Sequence, residues 1–139
     1  MRPYEIVEHT ADIGIRGCGQ TPKELFAHMA QGVFSLIVPP GEVRAAEKRM
    51  VQAQADGWDR LLVAWLRELL YLFDTQHFLA KEFSIHRLDP TRIDAEAAGE
   101  VLDLERHTVD KEVKAVTYCD LWVQQAPDGG WSAQVILDI

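Results

Sequence analysis

Paired cysteines are missing from this chain. Its two, Cys18 and Cys119, stand far apart and form no CxxC unit. That excludes a disulfide framework and a zinc knuckle, and a reducing cytoplasm is the expected location. The opening Met1-Arg2-Pro3-Tyr4-Glu5 has no apolar stretch, so no secretory leader is expected. No apolar run approaches the roughly 20 residues that span a bilayer, and no membrane association is expected. Clustered Lys and Arg are absent too. Twenty-two acidic residues stand against 14 basic ones, a net charge of −8. Such a field repels phosphate backbones. Direct nucleic-acid binding is therefore not expected, and any role in RNA metabolism would pass through another protein. Enzyme signatures are lacking as well: no phosphate-cradling glycine loop, no GxSxG elbow, no HExxH, no EF-hand loop. Gly17-Cys18-Gly19 is too short for a phosphate loop and reads as a turn into the first helix.

What is present fits one domain over residues 1–139, 47% hydrophobic and 26% charged. A chain of this length can bury a core without staples. Tyr4 to Glu8 and Ile13 to Gly19 read as strands. Thr21-Pro22-Lys23-Glu24 opens a helix with a capping box and an early proline. Leu25, Phe26, Met29, Val33, Phe34 and Ile37 then recur at helical spacing, and Pro39-Pro40-Gly41 ends the run. Glu42 to Ala55 reads as a strand. Asp56 is placed as the cap of a second helix, with an apolar stripe from Trp58 and Leu61 to Leu72 and Phe73. Strands follow over 78–88 and 92–97, then an ambiguous stretch at 99–110. A long strand over 112–125, a turn at Ala126-Pro127-Asp128-Gly129-Gly130 and a closing strand over 131–139 complete the chain. Strands and helices do not alternate one for one. The expected class is α+β, a mostly antiparallel sheet packed against two long helices.

Chemistry concentrates at the two ends. In the closing strand, Trp131, Ala133, Val135, Leu137 and Ile139 share one face, and Asp138 lies on the other. Ile139 can anchor while Asp138 points away, with the final main-chain carboxylate beside it. Two carboxylates so close suit a hard cation. A solvated terminus is the ordinary fate of a last residue, and the residues alone favour that reading. Taken alone, Asp12 reads as a turn or cap aspartate, and His9 as a hydrogen-bonded core histidine rather than a metal ligand. Glu112 and Lys114 lie on one face at the start of the long strand. Trp58 and Trp65 read as core, and Cys119 as a small buried hydrophobe.

Four segments in order resemble the archease family: His9-Thr10-Ala11-Asp12-Ile13-Gly14-Ile15, Leu69-Leu70-Tyr71-Leu72-Phe73-Asp74, Glu112-Val113-Lys114-Ala115-Val116-Thr117-Tyr118 and Asp138-Ile139. They span nearly the whole chain. One departure stands out: many prokaryotic members carry His after the Thr-Tyr of the long strand, where this chain has Cys119. The resemblance implies an α+β domain and an accessory protein without catalysis of its own. Its partner would be an RtcB-type, GTP-dependent RNA ligase of tRNA splicing and RNA repair. The accessory protein promotes guanylylation of the ligase's histidine and so supports multiple turnover. The resemblance further implies a metal site at Asp12, Asp138 and the main-chain carboxylate of Ile139, with Ca²⁺ expected first and Mg²⁺ or Mn²⁺ as alternatives. Glu112, Lys114 and His9 are the matching ligase-activation positions. An older proposal for the family is a chaperone-like modulator of a tRNA methyltransferase. A small metal-dependent phosphoesterase is a third reading of clustered carboxylates.

Overall fold

A computed structural model describes residues 2–8 and 12–139. His9 of the expected activation residues lies outside the described residues. Strands β1 (Tyr4–Glu8) and β2 (Asp12–Gly19) come first. Helix α1 (Pro22–Ile37) begins where the capping pattern predicts. Thr21 Oγ1 accepts the Glu24 N–H at 3.2 Å, satisfying a donor that a helix start leaves open. Gly17-Cys18-Gly19 belongs to β2, not to a turn. A Cβ on Gly19 would stand 2.5 Å from the Leu25 nitrogen, so the bare glycine lets α1 start directly against the strand.

A short 3-10 turn (Pro40–Glu42) leads to β3 (Glu47–Gln54). This strand is shorter than the expected 42–55 because its ladder partner runs only from Arg92 to Gly99 opposite it. Helix α2 (Trp58–Gln76) has Gly57 as its N-cap, at φ 102°, and no side-chain cap. Asp56 is therefore not the cap; a positive φ, open to glycine without steric cost, turns the chain instead. The helix ends at His77 in the left-handed conformation, whose N–H bonds to the Phe73 carbonyl at 2.7 Å. Then come β4 (Phe78–Asp89), β5 (Arg92–Val101), β6 (Ala115–Gln125) and β7 (Trp131–Asp138).

The α+β class is as expected, but the strands divide between two antiparallel sheets. One has the order β1-β2-β7-β6, the other β3-β5-β4. Each helix bridges both: α1 packs on β2 and β4, α2 on β3 and β6. Over its first seven residues strand β5 buries alternate positions, Ile93, Ala95 and Ala97. Trp65 is fully buried and its indole N–H donates to the Phe26 carbonyl at 3.0 Å, tying α2 to α1. Trp58 is half-buried, edge-on to Phe26 and Trp131. Such rings bring large apolar area and a polar handle to one place.

Candidate functional site

Register brings the two ends together. Strands β2 and β7 pair so that Asp12, the first residue of one, opposes Asp138, the last of the other. Directly opposed residues of an antiparallel pair project to one face, with Cβ atoms about 5 Å apart. The two carboxylates therefore share a face. On the other side of Asp138 lies Ala115 of β6, and the Lys114 N–H donates to the Asp138 carbonyl at 2.8 Å. Ile139 is half-buried against the core while Asp138 is exposed, the alternation expected of an anchor beside a presented carboxylate.

The next rung on that face is apolar. Ile136, 6% exposed, lies over Gly14, where a Cβ would come within 3.2 Å of its Cδ1. The pair thus stands beside an apolar rung, with Asp12 partly buried and Asp138 open to solvent. Asp12 Oδ1 is buried and has no hydrogen-bond partner among the described residues. Buried polar atoms are nearly always satisfied. An orphaned carboxylate oxygen beside a second carboxylate fits the oxygen donor set of a hard cation. Among the described residues, no three His, Cys, Asp or Glu side chains converge to hold an ion, so side chains alone supply two donors here.

Glu112 and Lys114 are exposed on either side of buried Val113. Both precede β6, which starts at Ala115 rather than at Glu112. The ladder stops there because its partner strand ends at Asp138. The preceding backbone bonds to the end of α1 instead, Asp110 N–H to the Ile37 carbonyl at 2.8 Å and Lys111 N–H to the Leu36 carbonyl at 3.0 Å.

Two features escaped the sequence reading. In β6, Thr117 opposes Ile136 and Trp122 opposes Gln134, so residues 118–121 face Val135 alone. Asp120 in this bulge has φ 48°, a conformation aspartate tolerates better than most. The Gln134 side chain holds the bulge open: its amide N–H donates to the Asp120 carbonyl at 2.9 Å, and its Oε1 accepts the Arg16 Nε–H at 2.7 Å. Cys119 is consequently exposed, not the buried hydrophobe expected from an unbroken strand. The second feature is a clasp around Glu100. Glu100, 7% exposed, accepts from the Arg106 guanidinium, from the Arg44 N–H at 2.8 Å and from His107 Nε2 at 3.0 Å. Asp103 N–H donates to His107 Nδ1 at 2.9 Å, which places the ring proton on Nε2. The Arg106 bond, ahead of those from Arg44 and His107, pulls the Glu100 carboxyl down to about 2.

Among the described residues no helix is long and apolar enough to cross a membrane. A model of the Archease protein family matches residues 4–139. The protein archease of Thermococcus gammatolerans is 41% identical over the full length of both chains. That of Thermococcus kodakarensis is 39% identical, again over both full lengths. The fold is similar to the solution structure of Methanobacterium thermoautotrophicum protein 1598, with TM-score 0.85, 33% identity and 100% of each chain covered.

Proposed function

This chain belongs to the archease family, and on that premise we propose that it is a non-catalytic accessory protein of the cytoplasm. It activates an RtcB-type RNA ligase in tRNA splicing and RNA repair by promoting the ligase's guanylylation and multiple turnover. The observation that carries the reading is Asp12 opposite Asp138, with Asp12 Oδ1 unsatisfied among the described residues. Asp12, Asp138 and the main-chain carboxylate of Ile139 would hold a divalent cation, Ca²⁺ ahead of Mg²⁺ or Mn²⁺ because it accepts irregular oxygen shells. Such an ion, when bound, supplies positive charge at a nucleotide site, the currency of phosphoryl and nucleotidyl transfer.

The chain's own residues do the positioning. Ile139 anchors the last strand in the core, so Asp138 is presented at a fixed height. The rung of Gly14 and Ile136 keeps the floor apolar. Glu112 and Lys114, exposed beside the pair, meet the ligase. With a field of −8, contact runs to protein and not to the RNA backbone.

The test is ligase guanylylation, followed with and without substoichiometric amounts of this protein. Faster and repeated guanylylation is the expected result. No effect on the ligase, or metal-dependent hydrolysis of a phosphoester by the protein alone, contradicts the reading. Protection of a tRNA methyltransferase from aggregation without any effect on the ligase would favour the chaperone-like alternative.

A further inference from the structure

Beside the carboxylate pair runs a shallow groove between α2 and the start of β6. Arg67, Leu70, Tyr71 and Asp74 line it from the helix, and Lys114 to Val116 from the strand. Three observations mark it. First, Tyr71 is 65% exposed, and Tyr118, just beyond the groove, is 55% exposed. Exposed aromatics of this size are interface anchors when they cluster. Second, Arg67 is pre-set. Its Nε and Nη2 donate to the Val116 carbonyl, its Nη1 donates to the Tyr118 hydroxyl at 3.2 Å, and its guanidinium lies 4.6 Å over the Tyr118 ring. A guanidinium has five N–H donors. Three are used here, which leaves one on Nη1 and one on Nη2 of a planar group already held in place, free to donate to a carboxylate. Third, the groove is continuous with the proposed functional site, because the Lys114 N–H bonds to the Asp138 carbonyl and Ala115 opposes Asp138.

We infer that this groove docks a carboxylate-bearing, partly apolar segment of the activated ligase, with the carboxylate on Arg67 and Lys114 and the apolar side chain against Tyr71 and Leu70. The inference rests on the function proposed above and names the surface that carries affinity, separate from the carboxylates that carry activation. Charge complementarity sets the occupant's sign. Arg67 and Lys114 are cationic points in a chain of net charge −8. A nucleic-acid strand would bring a run of phosphates against Asp74 in the same groove and that overall field, whereas a protein segment brings one carboxylate for Arg67 and Lys114 and an apolar side chain for Tyr71 and Leu70.

The experiment titrates the ligase with wild-type protein and with Tyr71→Ala, Arg67→Gln, Met50→Ser and Asp138→Asn, reading both the apparent dissociation constant and the guanylylation reached at saturation. Met50 is 63% exposed on the other sheet and serves as control. Tyr71→Ala and Arg67→Gln are each expected to weaken the complex about ten-fold or more, the scale of an interface anchor, while reaching wild-type guanylylation at saturation. Met50→Ser should match wild type, and Asp138→Asn should bind about as tightly but activate poorly. If Tyr71→Ala and Arg67→Gln bind like wild type while Asp138→Asn has lost activation, the docking inference fails and the function stands. If wild-type protein neither binds nor activates the ligase, both fail. Arg67-dependent binding of a short RNA oligonucleotide that displaces the ligase would also overturn the inference, since the groove would then be a phosphate site.

Discussion

At the scale of single residues, Asp12 Oδ1 is the atom whose surroundings ask for a ligand. It is buried with no donor among the described residues, a state that costs roughly 1–3 kcal/mol, and the opposed Asp138 adds repulsion. Asp12→Asn removes a charge and adds a donor. Without divalent ions this variant should melt at or above the wild-type temperature. Saturating Ca²⁺ should raise the wild-type melting temperature, by about 2.7 kcal/mol of stability at a hundred times the dissociation constant, and leave the variant unmoved. Thermal melts with and without a chelator read this; a Ca²⁺ shift of equal size in both proteins would place the ion elsewhere. Glu100 makes a different prediction. Its folded carboxyl sits at about 2, below the ordinary value of 4.5, mainly through Arg106. A lowered acid stabilises the fold above its unfolded pKa and loses that contribution as pH falls through the folded value. The Glu100→Gln variant should therefore be less stable at neutral pH by on the order of 2 kcal/mol, reduced from the full linkage value because Arg106 is partly solvated. The gap should close between pH 4.5 and about 2. Denaturant titrations along that range check it, and a gap that persists unchanged at pH 2 would remove the clasp from the stability of the fold.

The same scale shows what could be read in advance. Asp138 out and Ile139 in follows from the two-residue period of a strand, and needs only the strand to be real. Asp12 needed the archease resemblance, since its local context suits any turn aspartate equally well. Glu100 was not legible: its partners lie on the chain at Arg44, Arg106 and His107, and no spacing rule brings those together before the fold exists.

At the scale of elements, local chemistry was readable where it is local. Thr21-Pro22-Lys23-Glu24 marks α1 because the capping bond spans three residues. The start of α2 was misplaced by one residue because backbone torsion at Gly57, not a side chain at Asp56, makes the cap. Gly57→Ala should accordingly destabilise the protein by about 1–2 kcal/mol through a strained positive φ. Gly41→Ala, with open space around its Cβ site, should change stability by less than about 0.5 kcal/mol. Urea denaturation distinguishes them, and equal effects would contradict the role given to the Gly57 torsion. The β6 bulge was invisible for a further reason. Residues 112–125 read as one continuous strand, and the Gln134 side chain on the neighbouring strand, bonded to the Asp120 carbonyl, braces the extra residues.

At the scale of the whole molecule, residues from opposite ends of the chain meet at one end of the two central strands of one sheet, and that place carries the function proposed. The antiparallel pairing of β2 with β7 fixes this outcome, because it sets the first residue of one strand beside the last of the other. The split into two sheets leaves the carboxylate pair on the first, with α2 supplying the adjoining groove. The acidic field then favours a protein partner over naked RNA. The most direct measurement is guanylylation of the ligase in the presence of wild-type protein, Asp12→Asn or Asp138→Asn, each confirmed folded by its melting transition. The account predicts loss of most of the stimulation in either variant. Full stimulation by both would contradict it.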